Sequence, residues 1–381
     1  MAKQPAQTDV LVLGSHPCAH LAATLLAEAG VARVVHASIP DEPPLDRLVT
    51  INPALFDLHP LLGSVKRKIK LLPIYGLQFL ADDSGTSSAQ TGKSIGAYVT
   101  DLKPFRAATR KFMAAAKVES LEPARIEILQ LDERGLHVKL DSQPMHPKLM
   151  ILAGELPPEQ KRMIGLPPMW DAEVLHRYTY LSVKTDKWLD PPPAKPLLPM
   201  SLDLGGTLNW AWLLPGEGQF QLAVEQPLQS TAQQPAVTLL NRWINVLMAH
   251  SVLKPGAESA IDTSSAVSVD LPFAGALSQE GVANRTLLIG PAGGFYTACA
   301  EDLYPNCWSA LHAFEVAKKA IKEPHLQDAL QPYRQRWGAT LGDYLRGPQQ
   351  NLRFLLPLVY RNATMTARLV DAILSGKSVV R

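Results

Sequence analysis

The feature that most constrains the fold is the stretch from Thr286 to Ile321, TLLIGPAGGFYTACAEDLYPNCWSALHAFEVAKKAI. Leu287-Leu288-Ile289 is a short apolar run, which predicts a strand buried on both faces. Three glycines follow within Gly290-Pro291-Ala292-Gly293-Gly294, so the backbone there can turn sharply and approach a ligand closely. A helix-period segment begins near Tyr304–Trp308, with an expected apolar stripe of Trp308, Leu311, His312, Phe314, Val316, Ala317, Ala320 and Ile321. Lys318, Lys319 and Lys322 suit its C-terminus, and Pro324 ends it. A strand, a glycine turn and a helix whose N-terminus faces the turn make a ready anion or cofactor site.

The same grammar occurs near the start of the chain. Asp9–Leu13 reads as an apolar strand, Gly14 ends it, and Leu21–Ala29 continues as a helix closed by Gly30. Two such units far apart in sequence predict that distant segments build one sheet around one ligand. Val10–Leu13, Arg33–Val35, Leu149–Leu152 and Leu287–Ile289, each a short apolar run beside a glycine turn or helix, are expected in one mainly parallel sheet.

Composition narrows the class. The 381 residues exceed one ordinary domain, so two subdomains with separate cores are expected. Lys plus Arg number 37 against 35 acidic residues, and a net +2 gives no broad pull on nucleic acid. Three cysteines (Cys18, Cys299, Cys307) without metal-type spacing predict no metal site and a reducing compartment. Met1–Thr8 has no basic start followed by a long apolar core, and Val10–Leu13 is too short to cross a membrane. A cytoplasmic chain without a transmembrane segment is expected.

Between the two units, Lys103–Ala116 reads as a helix and Ile126–Leu131 with Leu136–Leu140 as a hairpin. Lys66–Lys70 reads as a solvated basic face. From Asp171 to about Asp270, the runs Tyr178–Lys184, Met200–Leu204, Leu208–Leu214 and Phe220–Val224 predict an antiparallel sheet, with Val237–His250 as an amphipathic helix. The tail from Pro332 is helical by pattern, with Tyr333, Trp337, Leu341 and Leu345 at steps of four. The expected division is 1–170 with 271–325 as a discontinuous α/β domain, 171–270 as an antiparallel domain, and 326–381 as C-terminal helices.

This order of elements resembles the FAD-dependent oxidoreductases of the p-hydroxybenzoate hydroxylase fold, geranylgeranyl reductase-like members in particular. Asn209-Trp210-Ala211-Trp212-Leu213-Leu214-Pro215 is similar to that family's aromatic strand ending in Phe-Pro. Leu271-Pro272-Phe273-Ala274-Gly275 is similar to the turn before its last FAD strand, and Tyr333-Arg334-Gln335-Arg336-Trp337 to its C-terminal helix. The resemblance implies a Rossmann-like FAD-binding-type domain plus an antiparallel-sheet substrate domain. It also implies FAD as cofactor, held by Gly14, Ser15, His16, Pro17, Gly290, Pro291, Ala292, Gly293, Gly294 and Asp302. The family's Gly-x-Gly-x-x-Gly stands here as Gly14-Ser15-His16-Pro17-Cys18-Ala19, and its Gly-Asp-Ala-Ala-Gly as Gly290-Pro291-Ala292-Gly293-Gly294. Where the second strand would end in a ribose-binding acid, the chain has His36-Ala37-Ser38. Asp302 alone remains of the acid at the flavin-facing helix.

His16 either meets a phosphate at the helix N-terminus, or plugs the groove or caps the helix. Cys18 and Cys299 are read first as small buried groups, with a shared reactive cleft as the alternative. His20 and His312 are expected as core histidines, and the Trp210/Trp212 pair as core or as pocket wall. Leu352–Tyr360, apolar and broken by Pro357, fits internal packing or peripheral membrane contact. The leading expectation is an FAD-dependent oxidoreductase acting on a small apolar molecule, with isoprenoids among the candidates. The alternative is a flavin-free relative acting as a lipid- or partner-binding module. The sequence names no catalytic side chain.

Overall fold

The computed structural model describes residues 6–39, 46–82, 86–121, 125–132, 135–184, 187–190, 193–206, 209–229, 234–272, 281–300, 303–345 and 352–376. At its centre lie five parallel strands in the order Thr286–Leu288, Gln143–Leu152, Ala6–Leu13, Val34–Ala37 and Glu119–Leu121. The four apolar runs expected to share a sheet are therefore neighbours. Leu11 sits between Met150 and Val35, and Ile151 pairs with Leu287. Alternation divides each strand between two cores. Val10 and Val12 face the helices Pro17–Glu28, Leu102–Ala115 and Leu303–Ala320, whereas Leu11 and Leu13 face the layer that contains Ile126–Leu140 and Leu156–Leu166. With both faces covered, these strands read as continuous apolar runs rather than alternating ones.

The strand expected at Leu149–Leu152 starts earlier, at Gln143. Asp141 (φ 44°) and Ser142 (φ 67°) both take left-handed geometry, which forms a two-residue hairpin back to Gly135–Leu140. Pro144 and Pro147 are both accommodated in it.

The second sheet has seven strands, in the order Val267–Pro272, Leu175–Val183, Gln219–Pro227, Asn209–Gly216, Leu197–Leu204, Gly76–Leu80 and Ser87–Thr91. Its pairs are antiparallel except Leu197–Leu204 with Gly76–Leu80. Two of its strands thus come from 76–91, so the sheet extends beyond 171–270. Helix Ala236–Ala249 covers one face, and helix Ala363–Ser375 packs on the other. Trp210 and Trp212 share that second face and are buried; Trp212 stacks on Tyr178 at 5.7 Å.

The tail is helical, and Tyr333, Trp337, Leu341 and Leu345 of Pro332–Leu345 are all buried, as their spacing predicts. Asn362 caps Ala363–Ser375 through its side chain, and Gly376 (φ 65°) closes it. Helix Leu303–Ala320 buries Val316, Ala317 and Ala320 of the expected stripe, but its earlier turns are rotated: Cys307, Ala310 and Ala313 are buried, while Trp308, Leu311, His312 and Phe314 are half-buried. Small residues win this face because helix Pro17–Glu28, itself rich in alanine, packs closely on it. Among the described residues, no helix is long and apolar enough to cross a membrane.

Candidate cofactor site

The first glycine turn is built by close approach. A Cβ on Gly14, at φ +132°, would lie 2.8 Å from the Gly154 nitrogen of the adjoining strand end. His16 then takes extended geometry as N-cap, and Pro17 supplies the first helical residue, with φ already suited to it. The helix accordingly starts four residues before the expected Leu21. Histidine is not a usual cap, but here its Nδ1 accepts from the Cys18 backbone N–H at 3.3 Å. The Cys18 Sγ lies 3.0 Å from the same nitrogen.

His16 is 2 % exposed, and its Nε2 lies 3.5 Å from the amide of Asn306, which is fully buried in helix Leu303–Ala320. Because Nδ1 accepts, a neutral imidazole carries its proton on Nε2 and needs an acceptor. Asn306 Oδ1 has no hydrogen-bond partner among the described residues. Turning that amide over brings Oδ1 to the His16 ring nitrogen, since the two ends of an amide are distinguished only by their bonds. His16 thus spans from the first helix to the second, in the corridor between the two glycine turns.

The second turn closes the same corridor. Gly290 has φ +54°, and a Cβ there would sit 2.4 Å from Cys18 Sγ. The thiol therefore occupies room that the missing side chain leaves. Gly290 N–H donates to Ser309 Oγ at 3.0 Å, and that hydroxyl donates to the Asn306 carbonyl at 2.7 Å. Pro291, Ala292 and Gly293 continue as a short 3-10 turn, and Gly294 (φ 69°) ends it. Tyr333 supports the strand from behind, donating its hydroxyl to the Leu288 carbonyl at 2.6 Å. Burial holds that phenol well above its usual range, reinforced by Cys18 and opposed by Ser309. Asp302 and Glu301 lie outside the described residues, as do Phe273, Ala274 and Gly275.

At the end of the second strand, where a ribose-binding acid was missed, His36 turns inward. Its Nε2 meets the Gly14 carbonyl at 2.8 Å and its Nδ1 the Ser120 hydroxyl at 3.3 Å. His20 packs edge-on against it at 5.1 Å and meets Thr109 Oγ1 at 3.0 Å. Burial holds His20 well below the ordinary histidine range, helped by His36, Arg106, His16 and Arg110. It is a core histidine, as expected. His312 instead is half-buried and bonded to Thr340 at 2.7 Å. Arg106 Nε donates to the Ser15 carbonyl at 2.9 Å. Cys18 and Cys299 do not share a cleft, since they belong to different cores.

An FAD molecule in this fold needs open N–H groups and space at the first turn, an acid at its ribose and an acid near its ribityl chain. The described residues offer none of these in the open. The Cys18 N–H is taken by His16, the space at Gly290 by Cys18, and the ribose position by a histidine bonded to the turn itself. Between the two sheets, Tyr296, Thr297 and Ala300 meet Tyr178, Leu271 and Pro272 around a space of about 10 Å³. That is at most one water. The residues present do not fit FAD in this pose. The same wall holds a pair that sequence reasoning missed: His176 Nδ1 lies 2.9 Å from Glu225 Oε1, with Glu225 6 % exposed. They are diagonal neighbours across two strands, visible only once the register is known. Such a pair can hold or move a proton.

No family model and no curated protein matches this chain. Solved structures do. A geranylgeranyl bacteriochlorophyll reductase-like protein from Thermoplasma acidophilum superposes with a TM-score of 0.72 at 14 % identity, over 99 % of this chain and 94 % of that one. PqsL, a probable FAD-dependent monooxygenase from Pseudomonas aeruginosa, gives 0.64 at 17 % identity over 97 % and 98 %. A flavoprotein/dehydrogenase from Cytophaga hutchinsonii gives 0.63 at 13 % identity over 97 % and 93 %. The fold is thus that of the p-hydroxybenzoate hydroxylase type, geranylgeranyl reductase-like, and its solved relatives are flavoprotein oxidoreductases. At these identities the likeness is one of fold.

Proposed function

We propose that this chain is a repurposed relative of the flavoprotein oxidoreductases that carries no tightly bound FAD and works as a cytoplasmic binding protein. One observation carries the proposal: His16, Cys18 and Asn306 fill the space between the two glycine turns. These groups are mutually bonded and buried, so evicting them for a pyrophosphate would cost hydrogen bonds that the ligand must replace. Its three cysteines are buried thiols, in keeping with a reducing compartment.

A second reading keeps redox chemistry. It is favoured by the fold likeness and by the His176–Glu225 pair on the wall where the two sheets meet. In that reading the sheets part to admit flavin, and a small apolar molecule, an isoprenoid among the candidates, lies against Tyr178, Leu271 and Tyr296. FAD when bound would supply hydride transfer, and His176–Glu225 would hold the proton.

The visible spectrum of the purified chain, followed by FAD titration, separates the two. The expected result is no flavin absorbance and weak or absent FAD binding. His16→Gly with Pro291→Asp should raise FAD affinity. A stoichiometric yellow protein would overturn the proposal and favour the oxidoreductase reading.

A further inference from the structure

Helix Leu102–Ala115 borders a groove of about 550 Å³ that the glycine turns do not line. Lys103, Arg106, Arg110 and Lys111 project into it, at spacings that put them on one helical stripe about 12 Å long. Ala107 and Ala114 lie between them and keep the groove open. Among the described residues, Asp46 is the one carboxylate in its lining. Arg106 is already held in place by its bond to the Ser15 carbonyl, so little freedom is lost when it meets an anion. Lys68 lies 4.2 Å over the Phe112 ring of the same helix and adds charge beside the groove.

The surrounding sequence is biased the same way. From Arg47 to Lys117 there are eleven Lys and Arg against four Asp, in a chain whose net charge is only +2. Closely spaced cations raise the local positive potential, which draws an anion toward the groove. Guanidinium forks match phosphate oxygens bidentately, which favours phosphate over a single carboxylate. The stripe is short and the rest of the molecule is balanced in charge, which suits a compact ligand rather than a nucleic-acid track.

We infer that this groove binds a phosphate-bearing small ligand, its phosphate groups held by Lys103, Arg106, Arg110 and Lys111. Arg106 joins the groove to the first glycine turn through Ser15, but the variant below lies on the outer helix face and the probe is not flavin, so this inference and the proposed function fail independently.

The test uses the full chain and inorganic pyrophosphate, titrated by calorimetry at low and at raised salt. Saturable binding that weakens with salt is expected. Arg110→Glu with Lys111→Glu alters exposed residues, and its thermal midpoint is measured alongside to verify folding. The double variant should weaken pyrophosphate by about tenfold or more, since a charge-assisted contact is worth at least that factor. Sedimentation with phosphatidylcholine vesicles containing phosphatidylglycerol identifies the source of the phosphate. Binding to pyrophosphate alone assigns a soluble ligand, and binding to vesicles that pyrophosphate displaces assigns a lipid headgroup. Both outcomes support the groove. Absence of saturable binding in both arms, or equal binding by the double variant, would overturn it.

Discussion

The claim that the corridor is filled by the chain's own groups can be tested at Gly290 without any ligand. Alanine there carries two separable costs. The first is backbone strain: Gly290 sits at φ +54°, and a residue with a Cβ pays about 1–2 kcal/mol in the left-handed region. The second is steric, because the new Cβ would stand 2.4 Å from the sulfur of fully buried Cys18. Overpacking a filled core costs about 1–3 kcal/mol. Gly290→Ala should therefore destabilise the protein by about 2–5 kcal/mol, a sizeable part of ordinary domain stability. Cys18→Ala removes the obstructing sulfur and its contact with His16, so it is destabilising alone but should relieve only the steric part in combination. A double-mutant cycle by urea unfolding, followed through tryptophan fluorescence, isolates that part as a favourable coupling of about 1–3 kcal/mol. Strictly additive costs would refute the reasoning, since the thiol would then not occupy the space at Gly290.

Two further outcomes follow from the same region and from the tail. Tyr333→Phe removes the buried hydroxyl that serves the Leu288 carbonyl and should cost about 1–3 kcal/mol in urea unfolding, with little change in far-UV circular dichroism. His312 is held at about 4, below its usual 6.5, first by burial and then by Arg336, with Glu315 opposing. Its folded form favours the neutral ring, so its contribution is full above about pH 6.5 and is lost as pH falls toward 4. The stability difference between wild type and His312→Gln should shrink across that window, and a difference that stays flat would contradict the assignment.

Much of this fold was legible because its signals are local. Val10–Leu13 and Leu287–Ile289 are too short and too apolar to be anything but strands buried on both faces, and Tyr333 to Leu345 repeat every four residues. What stayed hidden depends on partners. Trp308 and Phe314 looked like the buried face of their helix because they are large. The helix opposite presents small residues, however, so Cys307, Ala310 and Ala313 give the closer fit. Gly76–Leu80 and Ser87–Thr91 gave no sign of which sheet they would join, since that is decided by Leu197–Leu204 more than a hundred residues later. At the site, the replaced glycine, the absent acid and Pro291 were plain in the sequence. That His16 could cap its own helix was also readable there, but that it would reach Asn306, and that His36 would bond back to the Gly14 carbonyl, required the packed distances between elements. Asn306 itself carried no motif; its only signal was a polar residue just inside the helix that faces the second turn.

The way the strands are shared between the two sheets also governs how the chain is made. The strand at Ala6–Leu13 leaves the ribosome early, but its partner Gln143–Leu152 follows about 140 residues later, and Thr286–Leu288 later still. At bacterial or eukaryotic synthesis rates that interval is on the order of ten seconds or more. For all of it, Val10-Leu11-Val12-Leu13 has only Val34–Ala37 beside it and leaves its other edge, fully apolar, able to pair with another nascent chain. The 76–91 hairpin faces the same delay before Leu197–Leu204 appears. Neither sheet can therefore be completed by a fragment, and a truncated product should be retained by chaperones rather than released folded. The chain's vulnerability lies in its birth more than in its finished form.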